Sequence, residues 1–262
     1  MKNFFAAIVA VLFLLTTVAH AEGAETYFRH GNDYLNQQQY ELAIQEYTKA
    51  IQINPNYAMA YSNRGIVYFQ LGQYERAIAN FDAAIQIDPT YTSAYNNLAF
   101  VYDELGQYER AIQYFDKVLE LDPNYDVGVY FKRGNAYYQL EQYERAIANF
   151  DAAIQIDPNY ASAYNNRGLV YDGLGHHDRA IADFDKAIQI HPNYAMAYNN
   201  RALACAVSGN LHQAIADATK AIELDPNLAK AYQLRGLCYQ ALDDEAKAQA
   251  DFARAKQLGF DS

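Results

Sequence analysis

Tryptophan is absent from this 262-residue sequence, and cysteine and proline are rare, with two and six residues respectively. Basic residues are also few: 20 Lys and Arg stand against 31 Asp and Glu, which gives a net charge of −11 at pH 7. Proteins that bind nucleic acids need a concentrated basic surface to contact phosphates. Because the Lys and Arg residues here are dispersed among carboxylates, a nucleic-acid partner is disfavoured.

Motifs that carry catalysis are missing as well. The sequence has no serine elbow, no glycine-rich phosphate loop and no zinc signature, so it predicts a non-enzymatic protein without a cofactor. His176, His177 and Asp178 form the one local cluster that resembles a metal site. Two adjacent histidines cannot both face one ion from a regular helix. We therefore expect an ordinary polar turn there and no bound metal.

The only long apolar run lies near the N-terminus, at residues 4–18. It follows the basic residue Lys2 and precedes Ala-His-Ala at residues 19–21, an order typical of a secretory signal peptide. A membrane-spanning helix needs ~20 apolar residues, so we predict a signal peptide at residues 1–21, cleavage after Ala21 and no stable membrane insertion. The expected location is extracytoplasmic, either periplasmic or secreted, and the exported chain would carry 19 basic against 31 acidic residues.

Two cysteines, Cys205 and Cys238, lie outside this predicted signal. Export would place them in a compartment where a disulfide persists. They replace apolar residues at repeated positions of the sequence, and buried free cysteines behave as small hydrophobic residues. We therefore favour two buried free cysteines, with a disulfide as the alternative.

A block of sixteen residues occurs twice without change, at 74–89 and at 143–158. Its apolar residues are spaced three and four apart, which places them on one side of an α-helix. The six prolines, at positions 55, 89, 123, 158, 192 and 226, follow one another at intervals of 34 or 35 residues. A period of this length is typical of stacked helix-turn-helix repeats, in which each repeat buries the apolar face of its neighbour.

The repeated positions resemble those of the tetratricopeptide repeat family. That family places a large aromatic residue, Gly, Tyr, Ala, Phe, Ala and Pro at fixed offsets. One repeat here carries Tyr61, Gly65, Tyr68, Ala77, Phe81, Ala84 and Pro89, and the same series recurs from Tyr130 and from Tyr164. The resemblance implies an all-α, right-handed superhelical solenoid of about seven helix-turn-helix (TPR) repeats that acts as a scaffold for protein–protein interaction.

We predict a single solenoid over residues 22–262. Its seven repeats span residues 24–57, 58–91, 92–125, 126–160, 161–194, 195–228 and 229–262. The end repeats carry Asp33, Gln249 and Lys256 where inner repeats carry apolar residues, so these three side chains are expected to face water. The fourth repeat has one extra residue, and we expect the turn before it to absorb this residue with Gly128 in an unusual backbone conformation.

The resemblance also implies that the first helices of successive repeats line a concave groove. Counted from the first residue of each repeat, or from residue 127 in the fourth repeat because of its extra residue, the second, sixth, ninth and thirteenth places form one stripe on these helices. Asn occupies the sixth place four times although it is a mediocre helix former, and its amide can pair with the backbone of an extended peptide. Inheritance from one duplicated repeat is the alternative reason for the repeated Asn. The candidate groove residues are these asparagines, two more at the ninth place and nearby aromatic residues: Asn32, Asn63, Phe69, Asn97, Phe100, Phe131, Asn135, Tyr138, Asn166 and Asn200.

The expected function is that of an exported scaffold that binds an extended or helical segment of a partner protein. Two alternatives stay open: a structural protein that forms homo-oligomers, and an accessory or carbohydrate-binding subunit of a cell-envelope enzyme complex. The 25 tyrosines would offer the latter sugar-stacking rings, although most lie at packing positions such as Tyr61 and Tyr68. Several exposed tyrosine rings along the groove would favour the carbohydrate alternative.

Overall fold

The computed structural model of the chain describes residues 23–260. Over this range the backbone forms fourteen α-helices and no β-strand. The first helix, α1, spans residues 23–36. The others are α2 (Tyr40–Ile53), α3 (Ala58–Gln70), α4 (Tyr74–Ile87), α5 (Thr92–Glu104), α6 (Tyr108–Leu121), α7 (Val127–Gln139), α8 (Tyr143–Ile156), α9 (Ala161–Gly173), α10 (His177–Ile190), α11 (Ala195–Val207), α12 (Leu211–Leu224), α13 (Ala229–Ala241) and α14 (Glu245–Gln257). The predicted signal peptide lies outside the described residues and stays a prediction.

Each odd-numbered helix ends in a tight turn that leads into the next helix. The residue that makes this turn has a positive φ, which glycine adopts without steric cost. Gly72 has a φ of 69°, as expected for a residue that terminates a helix, and Gly106, Gly175 and Gly209 are similar. Three turns use other residues, namely Gln38, Glu141 and Asp243, with φ between 58° and 60°. The turn geometry is therefore kept even where glycine is not.

The prolines follow the even-numbered helices. In each case one extended or near-extended residue caps the helix, and proline comes next, as Asp88 and Pro89 do after α4. The Asp88 carboxylate accepts a hydrogen bond from the backbone N–H of Thr90 at 2.9 Å. The hydrogen bond from the Thr90 hydroxyl, together with this backbone bond, lowers the pKa of Asp88. Proline cannot continue the helix, so the period of the prolines sets the period of the fold.

The two helices of a pair approach most closely where a glycine faces an aromatic ring. A Cβ atom added to Gly65 on α3 would lie 2.7 Å from the ring of Phe81 on α4, and a Cβ added to Gly168 would meet Phe184 at the same distance. Ala77 and Phe81 are buried. The prediction that small residues permit close helix approach while Phe81 fills the adjacent space is confirmed.

The chain divides into two compact units, which we call unit 1 and unit 2. Unit 1 comprises the described residues 23–125 with helices α1 to α6, and unit 2 comprises residues 126–260 with helices α7 to α14. Within each unit the second helix of one pair packs against the first helix of the next, as α4 does on α5 and α10 on α11. This stacking confirms the predicted all-α repeat solenoid.

The residues predicted to face water at the two ends of the array do so. Asp33 is exposed in unit 1, and Gln249 and Lys256 are exposed in unit 2. The prediction for Gly128 is wrong, because this residue lies inside α7 and has no positive φ. The helix instead starts after Asp126, whose carboxylate accepts the Gly128 N–H at 2.6 Å. The extra residue of the fourth repeat is thus accommodated at the start of α7, where Asp126 caps the helix.

The two cysteines are buried and free. Cys205 on α11 and Cys238 on α13 belong to one apolar cluster of unit 2, together with Ala218 and Leu234. Burial raises the pKa of both thiols. The interpretation of these cysteines as small buried apolar residues is confirmed.

Candidate functional site

The ten candidate groove residues all lie on the first helices of the pairs. We use the name first-helix face for the second, sixth, ninth and thirteenth places of helices α1, α3, α5, α7, α9, α11 and α13, which carry the six candidate asparagines. By helix, the candidates are Asn32 on α1; Asn63 and Phe69 on α3; Asn97 and Phe100 on α5; Phe131, Asn135 and Tyr138 on α7; Asn166 on α9; and Asn200 on α11.

In unit 1, two of the asparagines bond to each other. The Asn63 Nδ2 donates to the Asn32 Oδ1 at 2.8 Å, and the hydroxyl of Tyr47 donates to the same oxygen at 2.7 Å. Tyr47 is fully buried on α2, in the place that Phe81 holds in the next pair. Burial raises the pKa of Tyr47 to about 12. The Asn32 carbonyl therefore receives two donors, one from its own pair and one from the next.

In unit 2, four asparagines form a continuous chain of amide hydrogen bonds. Asn200 Nδ2 donates to Asn165 Oδ1 at 2.9 Å, and Asn165 Nδ2 donates to Asn166 Oδ1 at 3.0 Å. Asn166 Nδ2 in turn donates to Asn135 Oδ1 at 2.7 Å. The chain crosses α11, α9 and α7. Asn165 was not among the predicted residues, although it adjoins Asn166 in the sequence.

These bonds change the role that can be assigned to each asparagine. Asn165 and Asn200 are only 3% and 6% exposed, so their amides lie in the interior of unit 2 and bond to each other there. Asn135 and Asn166 are partly exposed, as are Asn63 and Asn97 in unit 1. The amide of Asn199, beside Asn200, keeps an oxygen that is buried without a hydrogen-bond partner. The asparagines therefore tie neighbouring first helices together, and only some of them reach the surface.

The aromatic candidates pack mostly against other rings. Phe131 lies 5.9 Å from Phe150 between ring centroids and 5.1 Å from Tyr160. Tyr138 is 36% exposed, and every other tyrosine is less exposed. The tyrosines are thus packing residues, and their rings give no support to a carbohydrate-binding surface.

Phe69 and Phe100 also rest on rings of the following helix. The Phe69 centroid lies 5.7 Å from that of Tyr74, and the Phe100 centroid lies 6.0 Å from that of Phe115 in an edge-to-face arrangement. Both phenylalanines keep a partly exposed surface. Each can therefore offer one apolar side to a ligand while the other side stays packed.

Several exposed apolar residues of the first-helix face were missed by the sequence analysis, among them Met59 on α3, which is 46% exposed. On α11, Met196, Leu203 and Val207 are 39%, 42% and 59% exposed, and Leu237 on the adjacent helix α13 is 48% exposed. These residues occupy the second, ninth and thirteenth places of the stripe that contains the sixth-place asparagines. The same periodicity could have found them, but only the asparagines and aromatic residues were selected.

A second missed feature is a series of arginines that join three helices each. Arg167 on α9 donates through Nε and Nη2 to Asp183 on α10, at 2.8 and 2.6 Å, and through Nη1 to Asp151 on α8. Arg201 repeats the arrangement with Asp217 and Asp185. The hydrogen bonds to Asp183 and Asp217 are the largest cause of the raised pKa values of Arg167 and Arg201.

A polar cleft of about 390 Å³ lies beside the turn between α9 and α10. Gly175, His176, His177, Asp178, Arg179 and Ser208 line it. His177 is held by Asp172, whose carboxylate oxygen lies 2.7 Å from the Nδ1 atom. Residues 23–260 contain no group of three His, Cys, Asp or Glu side chains arranged to hold a metal ion.

Over the part of the chain that the structure describes, every helix is too short or too polar to cross a bilayer. Stacked helix pairs with a face of amides and apolar side chains define the class of all-α repeat proteins.

The family follows from the comparison with known sequences. Models described as tetratricopeptide repeat match residues 56–124, 161–194, 195–228 and 218–250. A further model, described as TPR repeat, matches residues 31–72 and 134–175. Together they cover most of the described residues, and the chain belongs to the tetratricopeptide repeat family. No curated protein matches the sequence.

Several solved structures resemble the chain. The crystal structure of YrrB, described as a TPR protein with an unusual peptide-binding site, is 26% identical with a TM-score of 0.61, over 71% of this chain and 95% of YrrB. A MamA crystal structure is 30% identical with a TM-score of 0.59, over 63% of this chain and 96% of MamA. A tetratricopeptide repeat protein from Parabacteroides merdae has a TM-score of 0.72 over 92% of this chain and 95% of its own; at 22% identity it supports the fold alone.

Proposed function

We propose that the protein is an exported, non-catalytic scaffold that holds an extended or helical segment of a partner protein against its first-helix face. The observation that carries this proposal is the set of exposed apolar side chains on α11 and α13, above all Leu203, Val207 and Leu237. Contiguous exposed apolar surface is costly in water and is typical of binding sites. Solenoid repeats commonly bind along the surface that their first helices form.

The amides supply the polar part of such a site. Asn135 and Asn166 are partly exposed, and their side chains are fixed relative to each other by a hydrogen bond. A fixed amide loses little conformational entropy when it bonds to a peptide backbone. Apolar side chains of the partner would then rest on Leu203 and Val207. YrrB, which the chain resembles, is described as a TPR protein with a peptide-binding site. This likeness agrees with a peptide ligand.

The proposal is tested by introducing a charge on the first-helix face. In Leu203→Glu, a partner segment would have to cover a carboxylate, and we expect its affinity to fall more than about tenfold, the equivalent of 1.4 kcal/mol. The matched control is Ile156→Glu, because Ile156 is 50% exposed in the same unit but lies on a second helix, α8. Partners captured from extracytoplasmic extract by the purified protein supply the ligand for the affinity measurement.

Two results would reject the proposal. Equal affinity of the Leu203→Glu and wild-type proteins would show that the first-helix face is not used. An equal loss in both variants would show an effect of charge alone. Sedimentation of the purified protein separates the self-association alternative, since binding to a second copy of the chain gives a concentration-dependent mass.

The export part of the proposal has its own test. When the complete sequence is expressed with its residues 1–21, we expect the extracytoplasmic fraction to contain a shorter protein whose first residue is Glu22. N-terminal sequencing measures this directly. Recovery of the protein only inside the cell, with Met1 retained, would reject export.

A further inference from the structure

The turn before α10 differs from three corresponding turns in the hydrogen bonding of its arginine. Before α4, the residue preceding the helix is Gln73, and its Oε1 accepts a hydrogen bond from Arg76 Nη1 at 2.9 Å. The pairs Gln107 with Arg110 and Gln142 with Arg145 repeat this bond at 3.0 Å. In these three turns, therefore, the guanidinium group donates a hydrogen bond to the residue that precedes the helix.

At the start of α10 the glutamine is replaced by His176, and the arginine is Arg179. From residues 23–260, no hydrogen bond or ion pair reaches the Arg179 guanidinium. It lies 5.6 Å from the ring centroid of Tyr171, a contact that the arginines of the other three turns also make with the corresponding tyrosine. The His176 ring contacts the same tyrosine at 6.4 Å. The imidazole of His176 does not supply the carbonyl acceptor of a glutamine side chain. Arg179 therefore keeps the contact with tyrosine but lacks the turn hydrogen bond of the other three arginines.

A second substitution opens space next to these side chains. Leucine caps the first helix in five other pairs, as Leu140 does after α7 and Leu174 after α9. The residue after α11 is Ser208, whose short side chain donates to the Ala204 carbonyl at 2.8 Å. Ser208 lines the cleft of about 390 Å³ with residues 175–179. Arg179, which lacks the turn hydrogen bond, is thus one of the residues that line this cleft.

We propose that this cleft binds a carboxylate group. The Arg179 guanidinium presents donors in a planar fork that matches the two oxygens of a carboxylate, and His176 adds a ring N–H donor. Asp178 also lines the cleft, and its negative charge opposes a second anion. A ligand group of single charge is therefore favoured over a doubly charged phosphate. This inference does not depend on the proposed function, because its test needs no partner protein.

Acetate is the probe for the experiment, and acetamide is its uncharged control. The purified protein is titrated at constant ionic strength while NMR follows the Arg179 Nε–H and the His176 ring C–H signals. We expect saturable shifts of both signals with acetate, no saturation with acetamide, and weaker binding of inorganic phosphate. Shifts that are the same for acetate and acetamide would overturn the proposal.

Three exposed-turn variants sharpen the test. His176→Gln restores the glutamine of the other turns, and we expect its side chain to accept a hydrogen bond from Arg179. Acetate should then bind at least about tenfold more weakly, because it loses a hydrogen bond from a charged group. Arg179→Gln and Ser208→Leu should remove saturable binding, the first by loss of the charge and the second by filling the cleft. Circular dichroism checks that each variant keeps its helices. Unchanged binding in His176→Gln or Arg179→Gln would overturn the assignment.

Discussion

Arg64 in unit 1 and Arg167 in unit 2 occupy the same place in their repeats, yet they meet different partners. Arg64 donates to neutral oxygens, the Asn80 Oδ1 at 2.9 Å and the Thr48 hydroxyl at 3.0 Å. Arg167 donates to the carboxylates of Asp183 and Asp151. Burial lowers the pKa of Arg64, whereas the hydrogen bonds to Asp183 raise that of Arg167.

The difference shows that an arginine at one packing position can be paired either with neutral or with negatively charged acceptors. In both units the arginine stem fills the space between three helices, and its five N–H donors need acceptors. An amide and a hydroxyl meet that need at Arg64 without neutralising the charge, and Arg133 in unit 2 likewise donates to the amide oxygen of Asn149 at 2.7 Å. Carboxylates meet it at Arg167 and Arg201 and neutralise the charge as well, so the loss of an acceptor should cost more there.

The largest expected effect is the removal of a carboxylate in unit 2. Asp183→Ala leaves the partly buried Arg167 with Asp151 alone, and we expect the free energy of unfolding to fall by about 3 kcal/mol. The corresponding change in unit 1, Asn80→Ala, removes a neutral acceptor and should cost about 1 to 2 kcal/mol. Urea denaturation followed by circular dichroism measures both.

The control for this pair is Asp183→Asn, which gives Arg167 the type of acceptor that Arg64 has. Its cost should fall between those of the two alanine variants. Equal costs for Asp183→Ala and Asn80→Ala would contradict the electrostatic distinction between Arg64 and Arg167.

Alkaline pH offers a second comparison, because Tyr47 in unit 1 occupies a place that phenylalanine holds in the next four pairs, as Phe150 and Phe184 do in unit 2. The pKa of Tyr47 is about 12, above its ordinary value of 10.0. Its stabilising contribution is therefore complete below pH 10 and is lost as the pH rises toward 12, by up to about 2 to 3 kcal/mol. Tyr47→Phe should show a smaller fall in unfolding free energy between pH 9 and 12. Parallel pH curves for the two proteins would refute this account.

The asparagine bonds predict a smaller difference between the units. Asn200→Ala removes the donor to Asn165, whose oxygen is then buried without a partner, and should cost about 2 kcal/mol. Asn63→Ala in unit 1 should cost less than about 1 kcal/mol, because Asn32 still receives the hydroxyl of Tyr47. Thermal unfolding compares the two variants. If Asn63→Ala proves the more costly, the amide chain of unit 2 does not have the structural role assigned to it.

The smallest effect concerns the turns. Glu141 in unit 2 has a φ of 58°, a conformation that Gly72 adopts in unit 1 at 69°. Replacing a strained non-glycine residue at positive φ by glycine is favourable, offset in part by the greater entropy of the unfolded chain. We expect Glu141→Gly to raise the unfolding free energy by about 0.5 kcal/mol. The reverse change, Gly72→Glu, should lower it, and a rise there would contradict this explanation of the turns.

Much of the fold could be predicted from the sequence because its determinants are local and repeated. The helix pairs follow from apolar spacing, their ends from Gly72 and the prolines, and the close packing of each pair from Gly65 and Phe81. The conformation of Gly128 was predicted wrongly, because this residue lies inside α7. The capping of α7 by Asp126 depends on one hydrogen bond to a backbone N–H, which the hydrophobic pattern does not encode.

The candidate site was predictable as a surface but not in its contacts. The stripe on the first helices follows from helical periodicity and stays a prediction as a binding site, whereas the bonds of Asn200 and Asn166 depend on which way each amide points across neighbouring helices. The arginine contacts had a sequence signal that was not used, since Arg167 is 16 residues from both Asp151 and Asp183. A polar pair that recurs at one spacing in successive repeats indicates a contact between adjacent helices.

The central claim, that the partner binds on the first-helix face, is tested most directly by site-specific photocrosslinking. A photoreactive phenylalanine is placed at position 203 or, in a separate protein, at position 156, and each is irradiated with the captured partner. The account predicts a covalent adduct from position 203 and none from position 156. An adduct from position 156 alone would contradict it.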